Sequence, residues 1–255
     1  MRISIIGTGN MAHYIGERLL FNNLTFDEVV GRDIHRLETF VERFGGQPCR
    51  SIAELNSRVD ILIIAVKDDE IANCAKQLNG LTAKMIVHCS GTQSIEALGD
   101  AFHSRAVVWP IYSLSKFRKS PYTSKVPLAV EWGGDDTYKE LLDELLDTLS
   151  NEVYYISEKD RSLLHLAAVF SNNYIHHLMV LVEEFCEKNE LPFDALKPII
   201  YQTAAQVEKS PLRPLQTGPA IRHDEQTITQ HEALLEDEAQ LLALYRLFVK
   251  SIQTK

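Results

Sequence analysis

Residues 1–16 read MRISIIGTGNMAHYIG, and the fold is read outward from them. Arg2 to Ile6 is a short apolar, β-branched run. It ends in Gly7-Thr8-Gly9-Asn10-Met11-Ala12, after which Met11, Ile15, Leu19 and Leu20 recur at helical spacing. Strand, tight glycine turn and helix in that order form the GxGxxA fingerprint of a dinucleotide site. Gly7 permits the sharp turn, Gly9 lets a pyrophosphate approach the backbone, and Ala12 lets the helix pack close to the strand. The helix start presents free N–H groups and a positive dipole end to phosphates. Gly7, Thr8, Gly9, Asn10, Met11 and Ala12 are thus the expected cofactor-binding turn. A glycine turn that holds no nucleotide is the alternative, and the flanking strand and helix count against it.

The next strand is Glu28-Val29-Val30-Gly31. NAD-binding folds place an acidic side chain near the end of this strand, on the ribose 2′-hydroxyl. Here that place holds Gly31-Arg32-Asp33, with His35 and Arg36 following. A basic cluster with a glycine where the acid belongs suits a 2′-phosphate, because the planar fork of Arg32 pairs with phosphate oxygens. NADP is therefore expected over NAD. Two readings stand against it: Asp33 turned to the ribose, and Arg36 as a solvated helix residue.

The chain then alternates. Leu37 to Phe44 reads as helix, Ser51 to Leu55 as a short helix capped by Ser51, and Asp60 to Val66 as a continuous apolar strand. Such a strand belongs inside a parallel sheet covered on both faces. Helix Asp69–Leu78, strands Lys84–His88, Ser104–Trp109 and Val126–Trp132, helix Asp136–Leu149 and strand Val153–Ile156 complete the pattern. Strand–helix alternation of this kind predicts an α/β fold, a Rossmann-type doubly wound, mostly parallel sheet. Ligands in such sheets lie beyond the carboxyl ends of the strands. Val66 is expected beside the nicotinamide ribose, and Ser90-Gly91 offers a hydroxyl and a close backbone approach for substrate. Plain strand-to-loop turns are the alternative there. Lys67 reads as solvent-facing and Cys89 as packed.

The formal charge of −9 disfavours nucleic acid as a partner. No apolar run approaches the about 18 residues of a membrane span, so no membrane partner is expected. A core strand directly after Met1 leaves no expected leader, and four cysteines without a CxxC pair read as reduced thiols of a cytoplasmic protein.

From Ser157 onward no strand pattern remains, which divides the chain into a dinucleotide-binding domain, 1–157, and an all-α domain, 158–255, for substrate binding and dimerisation. Lys159 to Asn189 reads as one long helix, apolar on nearly all sides around Leu163, Leu164, Leu166 and Phe170. Such a helix must be buried, which predicts a homodimer through this domain. His165, Asn172 and His176 share a face of a regular helix, and buried polar groups need partners or a ligand. His176-His177 does not suit a metal, since adjacent residues leave a helix in different directions. After Phe193 to Val207, a helix with Pro198 in its first turn or at a kink, a turn from Thr217 to Asp224 carries Arg222 and Asp224 ahead of a last helix beginning at Thr227. A cap by Asp224, with Arg222 as its ion-pair partner, is the plain reading. Arg222 on an anionic substrate, oriented by Asp224 or His231, is the functional one.

GTGNMA followed by AVKDDEI resembles the superfamily of pyrroline-5-carboxylate reductase, the β-hydroxyacid dehydrogenases and the deazaflavin-dependent NADP oxidoreductases. HCSGTQSIEAL (88–98), HLAAVFSNNYIHHL (165–178) and TGPAIRHDEQTITQHEALL (217–235) resemble a family within it that joins a Rossmann-like domain to a helical domain of unknown function. The resemblance implies a 6-phosphogluconate-dehydrogenase-like helical C-terminal domain and a dimer made through it. β-Hydroxyacid dehydrogenases carry a lysine one helical turn before an asparagine, whereas Ala168 and Val169 precede Asn172 and Asn173 by four. His165 is then the candidate proton donor and Asn172 the candidate orienting amide. The expected function is an NADP-dependent oxidoreductase, a reductase, acting on a small anionic substrate in a cleft between the domains. The alternative is a non-catalytic NAD(P)-binding sensor or regulatory protein.

The cofactor reading has a direct test. NADPH is expected to bind more tightly than NADH, with Arg32→Ala costing about 1.5–3 kcal/mol of NADPH affinity. Equal affinities of the unaltered protein for the two cofactors in a titration would refute it.

Overall fold

The computed structural model describes every residue except 57, 79, 103, 116–125, 135, 210 and 255. Eight strands form one sheet: β1 (Ile3–Ile6), β2 (Glu28–Val30), β3 (Gln47–Cys49), β4 (Arg58–Ile64), β5 (Thr82–His88), β6 (Arg105–Pro110), β7 (Leu128–Gly133) and β8 (Val153–Tyr155). Their order is β3-β2-β1-β4-β5-β6-β7-β8, and every neighbouring pair is parallel except β6 with β7. The doubly wound α/β architecture and the helical C-terminal region are as the sequence pattern indicates.

Alternate residues of each strand feed opposite faces. Ile3, Ile5, Val29, Ile61, Ile63, Met85 and Val87 pack with α1 (Asn10–Phe21), α2 (Ile34–Phe44) and α4 (Lys139–Leu149) in one buried cluster. Ile6, Val30, Leu62, Ile64, Ile86 and Val107 pack with α3 (Ile71–Lys76) and the short turn Ile95–Leu98 in another. Each side chain fully buried this way contributes roughly 1.5–3 kcal/mol. The chain steps outward through β1, β2 and β3, then returns to place β4 beside β1. That reversal is the switch point where such sheets bind ligands, and the fingerprint turn leaves β1 there.

Gly7 makes the turn possible. It has φ +116°, and a Cβ on it would stand 2.3 Å from the Ala65 carbonyl oxygen at the end of β4. No L side chain fits either condition.

Several local expectations change. β3 lacks a sequence signal because it is a three-residue edge strand containing Pro48, a position an edge tolerates. Ser51 does not cap a helix: its hydroxyl donates to Glu54 Oε1 at 3.0 Å. The expected long helix is α5 (Glu158–Ala168), a π-helical turn (Val169–Tyr174) and α6 (Ile175–Lys188). The π turn inserts a residue into the ladder, so α-helical spacing does not carry from His165 through Asn172 to His176. The last helical stretch is two helices, α8 (Glu225–Leu234) and α9 (Ala239–Gln253), preceded by α7 (Lys197–Ala205) with Pro198 in its first turn.

By internal packing the chain forms two units, Met1–Asn172 and Asn173–Lys255. α5 therefore packs with the sheet. The second unit buries Leu181, Cys186, Ala220 and Ile228 and leaves Tyr201, Leu234, Leu247 and Phe248 exposed.

Gly7→Ala is expected to lower stability by at least about 1–3 kcal/mol through backbone conformation, before the carbonyl clash is counted. An unchanged urea midpoint would contradict the strained turn.

Candidate functional site

The carboxyl ends of β1, β2, β4 and β5 assemble the candidate site from the nucleotide end outward. At the fingerprint turn, a Cβ on Gly9 would meet no atom within 4 Å, so the backbone there faces open space. α1 begins without a side-chain cap and without an acidic residue in its first turn. An open glycine and an anion-friendly helix start fit a pyrophosphate. Ala12 is fully buried against the sheet. Val66 is half-buried and lies 3.5 Å from the Cβ position of Gly7.

At the end of β2, a Cβ on Gly31 would press on Leu37 and Thr8 at 3.2–3.3 Å. Asp33 is committed elsewhere. It caps α2, accepting from the Arg36 N–H at 3.1 Å, and pairs with Arg36 Nε at 3.4 Å. Arg32 is exposed and forms no ion pair among the described residues.

The loop after β5 is built on its own hydrogen bonds. The Ser90 hydroxyl donates to Asp68 Oδ2 at 2.7 Å and accepts from the N–H groups of Thr92 and Gln93 at 3.1 and 3.0 Å. Thr92 donates to the same Asp68 oxygen at 2.9 Å. The hydroxyl offered by the sequence as a substrate contact is thus engaged in shaping the loop. Beneath it, His88 Nδ1 accepts the Ser90 N–H at 3.2 Å, which leaves the proton on Nε2 to be donated to the Ser94 carbonyl at 3.2 Å. Burial, with the nearby Arg161 charge acting in the same direction, brings the His88 pKa down from 6.5 to about 4. Cys89 is packed, with its thiol pushed up to about 12 by burial.

His165, in α5, stands over this loop. Its Cδ2 lies 2.5 Å from where a Gly91 Cβ would sit, and Trp109 Cε2 lies 2.9 Å from the same point. The imidazole and Trp109 rings are 5.3 Å apart and tilted by 48°. Neither His165 ring nitrogen has a hydrogen-bond partner among the described residues. Gly91, Trp109 and His165 therefore interlock at the end of β5, and Ser90 links them through Asp68 to the end of β4. Asn172 is exposed within the π turn. Counted five residues back, as a π turn requires, its predecessor is Ala167, so the lysine of β-hydroxyacid dehydrogenases is absent on either count.

Sequence reasoning missed Arg161. It is 0% exposed and donates through Nη1 to the Ser90 carbonyl at 3.0 Å. Through Nη2 it reaches the Gln93 carbonyl at 2.8 Å and Glu131 Oε2 at 2.9 Å. Its Nε–H has no partner among the described residues. Two signals were present: Glu131 is a carboxylate inside an apolar strand, and Arg161 precedes His165 by four, on the same helix face.

Arg222 and Asp224 belong to the second unit. Asp224 caps α8, accepting from the Thr227 N–H at 3.1 Å and the Thr227 hydroxyl at 2.8 Å, and these bonds hold its carboxyl below the usual range. His231 Nδ1 lies 3.0 Å from the Tyr245 hydroxyl. Arg222 is exposed, and His176 and His177 are exposed on α6. No group of three or more His, Cys, Asp or Glu among the described residues is arranged to hold a metal.

Residues 2–91 match the family described as NADP oxidoreductase coenzyme F420-dependent, and residues 126–252 match the domain of unknown function DUF2520. The chain thus carries a match to each of these two domains, in that order. The first match contains the fingerprint turn, Val66, Asp68 and Ser90, and the second contains Glu131, Arg161 and His165. No curated protein matches the sequence. Among solved structures, a provisionally named NADP oxidoreductase from Bacteroides fragilis is 29% identical over 100% of this chain and 98% of its own, with a TM-score of 0.89. A pyrroline-5-carboxylate reductase from Coxiella burnetii is 17% identical with a TM-score of 0.58, covering 98% of each chain. An imine reductase from Myxococcus stipitatus, in complex with NADP+, is 14% identical with a TM-score of 0.65, covering 98% of this chain and 94% of its own. A variant of that enzyme is in complex with NAD+. The last two enzymes share the fold.

The buried histidine makes stability pH-dependent. Folded protein keeps His88 neutral down to about pH 4, whereas the unfolded chain protonates it near 6.5. The unfolded state then binds more protons, so stability is expected to fall by about 3 kcal/mol as pH drops from 6.5 through 4. Urea titrations across that range check this: His88→Gln is expected to show a flatter profile, and parallel profiles would refute it.

Proposed function

We propose that this chain is an NADP-dependent reductase of a small substrate with a polarised C=N or C=O bond. The observation that carries the reading is the His165 imidazole, seated on Gly91 and Trp109 at the end of β5 with both ring nitrogens unengaged among the described residues. The N-terminal family match supports oxidoreductase chemistry. Arg32, which forms no ion pair among the described residues, and Asp33, committed to α2, support NADP over NAD.

NADPH, when bound, supplies the hydride. The backbone from Gly7 to Ala12 and the start of α1 would hold its pyrophosphate, Arg32 its 2′-phosphate, and Val66 would flank the nicotinamide ribose. His165 delivers a proton from a ring nitrogen to the nitrogen or oxygen of the reduced bond, as a general acid. Asn172 orients the same atom through its amide. Ser90 acts by shaping the loop under Gly91. Arg222 is assigned the anionic group of the substrate, and the cap made by Asp224 holds the turn from which Arg222 projects.

The missing helix lysine favours a second reading, an NADP-binding sensor without turnover. A panel of cyclic imines, ketones and 2-oxo acids, followed by NADPH absorbance, separates the two. Turnover that falls about a hundredfold in His165→Ala, with NADPH affinity unchanged, is the expected result. NADPH binding with no turnover on any member supports the sensor, and full activity in His165→Ala overturns the role given to His165. Arg222→Ala is expected to raise KM for a carboxylate substrate and leave that of its methyl ester unchanged.

A homodimer is part of the proposal. Leu163, Leu166 and Phe170 of the first unit are exposed, as are Ile175, Tyr201, Leu234, Leu247 and Phe248 of the second. Apolar surface on this scale marks an interface. Light scattering is expected to give a dimer at micromolar concentration, and a monomer would refute it. Among the described residues no helix is long and apolar enough to cross a membrane. The four cysteines are free and buried, which supports a reducing, cytoplasmic location.

A further inference from the structure

We propose that Arg161 is a positioning residue: its guanidinium seats α5 on the loop after β5 and so sets where the His165 imidazole stands. The inference rests on the role given above to His165. Among the described residues Arg161 is the one fully buried side chain of α5, while Leu163, Leu164 and Leu166 are exposed. Besides the packing of His165 on Gly91 and Trp109, the helix is held to the sheet by polar contacts. Arg161 spans two carbonyls of the 90–93 loop and the Glu131 carboxylate of β7, and Ser94 donates to Glu158 Oε2 at 2.7 Å.

Arg161 and His165 stand one turn apart on the same face, so a displacement of the first moves the second. Gly91, against which His165 packs, lies inside the loop that Arg161 clamps. One cation therefore fixes both sides of the His165–Gly91 contact. The planar fork matters: it serves three acceptors in a set geometry, whereas a lysine ammonium at that depth is a point charge on a flexible stem.

The test needs no substrate. Full-length protein carrying ¹³C at histidine Cε1 gives a His165 signal, identified by its loss in His165→Gln and displaced by the ring current of Trp109. His13 is the internal control, since it packs edge-on to Phe40 and Phe44 at 5.0 and 5.3 Å in the nucleotide-binding part. In Arg161→Lys and Arg161→Gln the His165 signal is expected to move to the position of an exposed imidazole. The His13 signal and NADPH affinity stay unchanged. Guanidinium ion added to Arg161→Gly is expected to bring the His165 signal back, which no general loosening of the fold would do. A His165 signal unmoved in both Arg161→Lys and Arg161→Gln overturns the inference. If those variants fail to fold, Glu131→Ala decides: it keeps both carbonyl bonds and removes the third acceptor of the fork, and an unmoved His165 signal there overturns the inference as well. Retained turnover in His165→Ala together with the expected shifts would defeat the catalytic role of His165 and leave the positioning role of Arg161 standing.

Discussion

Arg161 carries a full charge with no exposure to water, and the carboxyl edge of the sheet is arranged around that fact. Burying a guanidinium costs several kcal/mol unless its donors are met and its charge is paired. The Ser90 and Gln93 carbonyls and the Glu131 carboxylate meet it. Those acceptors come from the loop after β5 and from β7, so the cation ties three separate pieces of chain into one body. The loop can present its carbonyls because its own polar groups are satisfied, by Ser90, Thr92 and His88 and by Asp68 from the end of β4. His88 is neutral for the same reason: it is buried, and a positive charge stands nearby.

The nucleotide end obeys a different constraint. There the determining contact is steric, between the backbone of Gly7 and the Ala65 carbonyl at the switch point between β1 and β4. The close approach leaves α1 starting at the sheet edge with an uncapped positive end. Below both ends lies the same support: strands whose alternate residues are buried on opposite faces, which holds the strand ends rigid. The irregular element follows His165 directly. The π turn from Val169 to Tyr174 costs helix regularity, and such turns collect at functional sites. It also lies at the division between the two units.

Most of the fold was legible in the sequence, and the residues show why. Gly7, Gly9 and Ala12 are neighbours in the chain, so their meaning lies in local spacing between one strand and one helix. Ile61 to Ile64 declare a buried parallel strand because a strand covered on both faces must be apolar throughout. β3 could not be read, since three edge residues with a proline carry no period. The π turn could not be read either, because VFSNNY fits an α-helix as well as it fits a wider one.

The sequence by itself determined the doubly wound sheet, the nucleotide turn and the helical second half, because each rests on local periodicity and on glycine placement. It also singled out His165 as a histidine in an apolar helix. Only the tertiary structure decided what His165 touches and what holds it there. Arg161 meets partners 71, 68 and 30 positions away in the chain. An arginine in the first turns of a helix reads as solvated unless a fold brings carbonyls and a carboxylate onto it. The physical reason is that burial belongs to the assembled sheet and loop: the same residue is a surface charge or a buried clamp according to what the rest of the chain packs around it.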